Sequence, residues 1–389
     1  MIKTFKIVIL FSPHFTNAVL HLLLGQTFTT KMNNIKDNIT DCIENTFPRA
    51  SFSIDNDKNN KIQQKSFSLP AGGVQKNRKD IQENVQFLLY TPELNGTFEL
   101  LQFNNSTSVT TSHFDKNRST RFITHGYMSS GIGSSCKLVR EAYLNFTNCN
   151  VIVVDWSQLA DDFYPIAAFY VKLVGEYVGA MITFLENMGM NPNTTTLVGH
   201  SLGAHVMGIA SSSAAHKVKY IYGLDPAMPC FLNAHTRERI SPDDAEFVEV
   251  IHTSIFGDNQ TIGDYDFYPN GGRNQPKCAC NLITESACSH STAFKYFAAS
   301  LNKTNPPFYS ILCKNLDAFK ANKCENYETI MGGIDHIPKR KGHYYLYTKA
   351  TFPYSFGKFY RKKSCSMTQL SMCFFNIINF LFGTHLCYN

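Results

Sequence analysis

The chain is first defined by what is missing from it. Its twelve cysteines include no Cys-x-x-Cys pair, which excludes a zinc ribbon of paired thiolates. No stretch of about 18 or more uninterrupted apolar residues occurs, so no transmembrane helix is read. No run of Lys and Arg is interleaved with aromatics, so nucleic-acid binding finds no support. No internal repeat is found. The formal charge of +6 is mild and dispersed. It reads as a solvated surface with excess lysine, or more sharply as a weak preference for anionic lipid surfaces.

What is present points to a large exported chain. Its 389 residues suit one large or two modest domains, and 43% hydrophobic residues are enough for a sizeable core. An even and high cysteine count favours disulfides in an oxidising compartment. Asn38, Asn95, Asn104, Asn105, Asn117, Asn145, Asn193, Asn259 and Asn302 each head an Asn-x-Ser/Thr sequon. Chance occurrence in an Asn-rich chain would also produce sequons. Lys3 and Lys6 precede apolar residues 7–11, and a second apolar run covers 18–24. Residues 1–25 therefore read as a signal peptide, and the expected location is extracellular. Residues 26–80, rich in Asn, Lys, Asp, Ser and Gln, read as a propeptide or loosely ordered arm. A catalytic domain is expected over 81–350. The tail 351–389 is too short for a second domain, and its apolar stretch 373–382 is too short to span a membrane.

Within the domain, short apolar strands alternate with helical patterns. Strands are expected at residues 87–90, 98–103, 121–124, 151–154, 195–198 and 220–224, with helices chiefly at 164–188 and 202–212. That alternation implies an α/β fold with a mostly parallel sheet and helices on both faces.

The strongest local motif is Gly199-His200-Ser201-Leu202-Gly203, placed between a strand and a helix. A tight strand-to-helix turn would thrust the Ser201 hydroxyl above the sheet edge, with the helix N-terminus stabilising negative charge. A plain N-cap serine on a glycine-rich helix start is the other reading. A nucleophilic serine needs a base, and the base needs an orienting carboxylate. Asp225 follows strand 220–224 in Gly223-Leu224-Asp225-Pro226, at the sheet edge that also carries the elbow, or serves only as a turn aspartate. His290 lies in Cys288-Ser289-His290-Ser291, a loop expected just before a helix over 292–300, or is a capping or surface histidine. Strand 121–124 runs into His125-Gly126-Tyr127. The backbone N–H groups of Tyr127 and Leu202 are the expected oxyanion donors, with His125 a buried brace for the loop.

Phe122-Ile123-Thr124-His125-Gly126, Val154-Asp155-Trp156, Gly223-Leu224-Asp225-Pro226 and Cys288-Ser289-His290, with blocks 199–205, 244–252 and 266–272, resemble the pancreatic-type lipase family in unbroken order. The resemblance runs from about Val85 to Tyr347. It implies an α/β-hydrolase fold, carboxylic ester hydrolysis at a lipid–water interface, and the roles just named for Ser201, Asp225, His290, Tyr127 and Leu202. It implies no catalytic cofactor. The β-sandwich domain of longer members is not expected after residue 347, and neither is a protein cofactor docked on it. Segment Thr236, Arg239, Ser241, Asp243, Asp244 resembles a structural calcium site of some members, or is a helix-capping Ser-Pro-Asp-Asp. The family spacings imply disulfides Cys136–Cys149 and Cys313–Cys324. Cys42, Cys230, Cys278, Cys365, Cys373 and Cys387 stay unassigned.

Two departures bear on substrate. The family's disulfide-closed lid corresponds here to Cys280–Cys288, too short for an amphipathic lid helix. The surface loop 254–263 is also short. Short loops resemble the insect phospholipases A1, and a low rim would admit a charged headgroup without costly desolvation. The expectation is therefore a phospholipase A1 acting on phospholipid surfaces. A triacylglycerol lipase is the nearer alternative, and a non-catalytic lipid-binding or yolk-type relative the more distant one. Asp264 stands where many relatives carry histidine.

Overall fold

Successive side chains of a strand point to opposite faces, so a strand that is apolar throughout must be covered twice. In strand β4 (Cys149–Asp155), Ile152 and Val154 join one apolar cluster while Val151 and Val153 join another. The same split occurs in β1 (Gln86–Tyr90), where Phe87 and Leu89 face one side and Leu88 and Tyr90 the other. A computed structural model of the chain describes residues 78–258, 260–278, 282–334 and 336–358. It places a central sheet between two helical layers.

The remaining strands are β2 (Glu99–Leu101), β3 (Ser119–Thr124), β5 (Thr195–His200), β6 (Tyr220–Leu224), β7 (Phe247–Ile251), β8 (Tyr265–Pro269), β9 (Phe308–Leu312), β10 (Glu328–Met331) and β11 (Gly342–Leu346). The 11-stranded sheet runs β10-β9-β11-β8-β7-β6-β5-β3-β4-β1-β2. From β11 to β4 every pair is parallel, and antiparallel strands finish both edges. The main helices are α1 (Arg78–Asn84), α2 (Ser106–Thr110), α3 (Ser134–Phe146), α4 (Ser157–Ala160), α5 (Tyr164–Asn187), α6 (Leu202–Ser213), α7 (Leu282–Leu301) and α8 (Leu316–Lys320). Residues of α5 and α6 form one face's core, and residues of α3 and α7 the other's. This is the expected α/β-hydrolase arrangement. By length and composition α5 could cross a bilayer, yet its Val171, Val174, Val178, Ile182 and Leu185 are buried in the core.

All six expected strands form, with β2 shorter than 98–103. Among the described residues, five further strands follow Leu224, outside those that the hydropathy pattern predicts. Several of them carry residues that strands usually avoid. Strand β8 reads Tyr-Asp-Phe-Tyr-Pro, and β7 has Glu249 at its centre. Burial with a partner overrides that preference. Asp264, just before β8, has an account in the same terms: its carboxylate pairs with Lys341 at 2.5 Å and accepts from Val248 N at 3.2 Å.

The described structure continues past both ends of residues 81–350. Helix α1 starts at Arg78, and Ser355 is buried, donating to Pro307 O at 2.6 Å. The proposed signal peptide, most of the 26–80 arm, the tail after 358 and Cys42, Cys280, Cys365, Cys373 and Cys387 lie outside the described residues.

Glu249 is buried on the α7 side of the sheet, where its carboxylate accepts from Gly332 N at 2.7 Å. Burial pushes its pKa from 4.5 to about 8 against that one hydrogen bond. An acid whose folded pKa is raised favours folding below its unfolded value and loses that contribution as pH rises through the folded value. Glu249→Gln, which mimics the protonated form, should therefore unfold at a higher temperature than the parent. The gap should widen between pH 4.5 and 8 and level off above. Differential scanning calorimetry across that range tests this, and a pH-independent gap would contradict it.

Candidate active site

The elbow has the expected geometry. Strand β5 ends at His200, α6 begins at Leu202, and Ser201 between them sits at φ 59°, ψ −125°. This region is sparsely populated by non-glycine residues and persists only where its surroundings impose it. Here Ser201 N donates to Leu224 O at 3.1 Å, tying the turn to the end of β6. A side chain on Gly203 would lie 2.5 Å from His125 O, so only glycine lets α6 start this close to the end of β3.

Asp225 follows β6, and its N–H donates to Ile251 O at 2.8 Å at the end of β7. Its carboxylate is fully buried. Oδ1 accepts from Thr253 N at 2.6 Å and Ser254 N at 3.1 Å. Oδ2 accepts from the Ser254 hydroxyl and is 2.6 Å from His290 Nδ1.

His290 is not in a loop before a helix. Helix α7 begins at Leu282, ten residues earlier than expected, and carries His290 inside it. The stretch Thr284-Glu285-Ser286-Ala287-Cys288-Ser289 is dominated by weak helix formers, which hid its helical state. The Cys278–Cys288 disulfide, rather than Cys280–Cys288, staples this part of α7. A second link runs from the elbow. His200, next to Ser201, is buried with Nε2 3.1 Å from His290 O, and the two rings are 4.5 Å apart. Burial, and to a lesser degree His290, push the His200 pKa well below the ordinary histidine range. The ring is thus neutral and donates from Nε2 to that carbonyl. Among the described residues the Ser201 hydroxyl makes no hydrogen bond to His290. In free hydrolases this bond is often long and tightens with substrate.

Gly126 stands against the serine, since a Cβ there would lie 2.5 Å from Ser201 Cβ. The next residue is Tyr127. Its N–H and that of Leu202 donate to no protein acceptor among the described residues, while Met128 N is already used by Ala160 O at 3.0 Å. Two uncommitted amides beside a serine form the arrangement an oxyanion requires. His125 braces this loop. It is fully buried, stacks on Trp156 at 5.5 Å and has Nε2 3.2 Å from Asp155 Oδ1, while Trp156 Nε1 donates to His125 O at 3.0 Å. Burial alone would raise the Asp155 pKa, but hydrogen bonds from His125 and Ser157 hold it down at about 2.

Other expectations need correction. Cys136 and Cys149 are buried thiols with no disulfide between them. Cys149 accepts from the Thr147 hydroxyl at 3.1 Å. Cys313–Cys324 forms as expected, and Cys230 is also half of a disulfide. In the calcium-like segment, the Asp244 carboxylate accepts from Ser241 N at 2.7 Å in a capping box. Burial lifts its pKa to about 7, and the Arg239 guanidinium donates to Ala234 O and Ile240 O. No group of three His, Cys, Asp or Glu side chains able to hold a metal occurs among the described residues. These side chains form the helix cap of the other reading.

Loop 254–263 is only partly a surface rim. Thr253, Ser254, Phe256, Gly257 and Asp258 are buried, and Thr253, Ser254 and Gly257 wrap the Asp225 carboxylate. Their role had no signal in the sequence, because they lie about thirty residues from the group they hold. Gly257 is critical to the wrap: a Cβ there would sit 2.3 Å from Asp225 Oδ1. Gly257→Ala should lower stability by about 1–3 kcal/mol through overpacking. Urea unfolding tests this, and an unchanged midpoint would show that the loop yields freely.

The Lipase family model matches residues 51–354. Pancreatic triacylglycerol lipase of Homo sapiens is 35% identical over 270 residues, covering 63% of this chain and 57% of the relative. That of Myocastor coypus is 34% identical over 285 residues, covering 67% and 60%. Lipoprotein lipase of Homo sapiens is 35% identical over 325 residues, covering 74% and 68%. The chain thus spans about 60% of the length of the pancreatic lipases it matches. Among solved structures, Est1E from Butyrivibrio proteoclasticus aligns with a TM-score of 0.27 at 14% identity, covering 43% of this chain and 74% of that one. A family match across most of the chain, with relatives about one-third identical, establishes that this protein belongs to the lipase family.

Proposed function

We propose that the protein is a secreted phospholipase A1, cleaving the sn-1 carboxylic ester of phospholipids through an acyl-serine intermediate. Ser201 Oγ attacks the ester carbonyl while His290 Nε2 takes its proton. Asp225 holds the imidazole through Nδ1 and stabilises the charge that develops on it. The N–H groups of Leu202 and Tyr127 receive the oxyanion. His290 then protonates the departing lysophospholipid oxygen. Water, deprotonated by His290, releases the fatty acid and restores Ser201.

The observation that carries the phospholipid preference is the length of α7. The helix begins at Leu282, so most of the stretch between Cys278 and Cys288 is already part of the helix bearing His290. Little chain is left there for a separate amphipathic cover. A low rim leaves room for a charged headgroup to remain hydrated while the acyl chain enters. Triacylglycerol hydrolysis is the second reading, favoured by the relatives named as pancreatic triacylglycerol lipases. Secretion is supported by the Cys278–Cys288 and Cys313–Cys324 disulfides, and glycosylation by the exposure of sequon residues Asn95, Asn104, Asn105, Asn117, Asn145 and Asn193.

Ser201→Ala should lower esterolysis by roughly 10⁴-fold or more. A serine-directed fluorophosphonate should label the parent at Ser201. Retained activity in Ser201→Ala would remove Ser201 as the nucleophile, whereas folded parent protein that resists labelling would favour a lipid carrier. On phosphatidylcholine labelled differently at sn-1 and sn-2, the sn-1 label should appear as free fatty acid. Faster release from triolein would make the protein a triacylglycerol lipase instead.

A further inference from the structure

The Ser254 hydroxyl has a defined direction. It accepts from Phe256 N at 3.1 Å and Gly257 N at 3.3 Å, so both its lone pairs are engaged. Its proton is left for Asp225 Oδ2, its remaining close partner. His290 Nδ1 is 2.6 Å from that same oxygen and 3.4 Å from Ser254 Oγ. Two donors therefore meet on one acceptor, and the Ser254–His290 approach is a shared acceptor rather than a bond between them. Thr253 N and Ser254 N occupy Oδ1. A carboxylate offers about four lone-pair sites, and here all four are taken, three of them by residues 253 and 254.

The loop that supplies these donors is itself moored. His252 is fully buried, stacks on Tyr268 at 4.4 Å and lies 2.7 Å from Asp266 Oδ1 through Nε2. Its Nδ1 meets Asp258 O. The Asp266 carboxylate also accepts from Ile262 N and Gly263 N, each at 3.2 Å. Both ends of the stretch from Thr253 to Gly263 are thus tied to one His–Asp pair between β7 and β8.

We propose that Ser254 is a positioning residue for the reaction, setting both the rotation of the Asp225 carboxylate and the share of Oδ2 charge that reaches His290. The hydroxyl keeps Oδ2 aimed at Nδ1, and it draws on the same oxygen that supports the imidazolium. Without it, one lone pair of a buried oxygen has no partner and the carboxylate is held on one side only. The imidazole then receives more of the charge but meets a less fixed acceptor. The proposal rests on Ser201, His290 and Asp225 acting together.

The test compares Ser254→Ala, Ser254→Thr and Ser254→Val in the full chain on a soluble short-chain nitrophenyl ester, with thermal unfolding to verify folding and Ser201→Ala alongside. Thr and Val match in shape and differ in the hydroxyl. Ala and Val should lower kcat by about tenfold or more with KM within about twofold. They should also move the acid limb of the kcat profile up by about half a pH unit, because more charge on Oδ2 favours the imidazolium. Thr should restore both. An unchanged kcat and pH profile in Ala, or Thr and Val equally impaired with an unmoved profile, would overturn the proposal while leaving the triad intact. Esterolysis by Ser201→Ala would overturn the triad and this proposal together.

Discussion

A carboxylate removed from water must find its hydrogen bonds inside the protein, and Asp225 is the group on which this site depends. Burying an unpaired charge is prohibitive, whereas a paired and fully hydrogen-bonded one is tolerable. Asp225 is fully enclosed, and each of its oxygens has two donors. Those donors come from the segment after β7 and from α7. Satisfying one side chain therefore holds together three elements distant in sequence, and the approach of α7 brings His290 with it.

The parallel sheet makes that convergence inexpensive. In a parallel sheet the carboxyl ends of the strands share one edge, and connecting loops there can be varied without disturbing the core. β3 delivers His125 and Gly126, β5 delivers Ser201, β6 delivers Asp225, and β7 delivers the loop from His252. Hydrogen bonds then couple neighbours across that edge: Ser201 N to Leu224 O, Asp225 N to Ile251 O, and His252 N to Phe267 O. Each strand end is registered against the next. The strain at Ser201 is held by this ladder and by the close approach of Gly126 and Gly203.

The helix carrying His290 has three independent anchors: the disulfide at Cys288, the His200 contact to the His290 carbonyl, and the Asp225 contact to the ring. The same helix occupies most of the sequence between the half-cystines Cys278 and Cys288, so little of that stretch lies outside the element that carries His290.

How much of this was readable in the chain follows from the range of the interactions. Ser201, Asp225 and His290 were legible because each sits in a local pattern: a glycine-flanked turn, an acid at a strand end, a histidine beside a half-cystine. The six apolar strands up to Leu224 were legible for the same reason, since hydropathy patterns are local. Strand β8, with its Asp266 and Pro269, was not, because its aspartate is tolerated only where His252 meets it. The true partner of Cys288 was not legible either, since Cys278 and Cys280 are both near in sequence and only the path of the chain into α7 selects between them. Nor was the cradle of Ser254 and Gly257, which contacts Asp225 across about thirty residues. Sequence by itself determined the chemical groups, their order and the fold class, because these rest on residue type and short-range periodicity. Tertiary structure alone decided which donors saturate Asp225, which cysteine staples α7 and how His290 is held, because those depend on where separate segments meet in space.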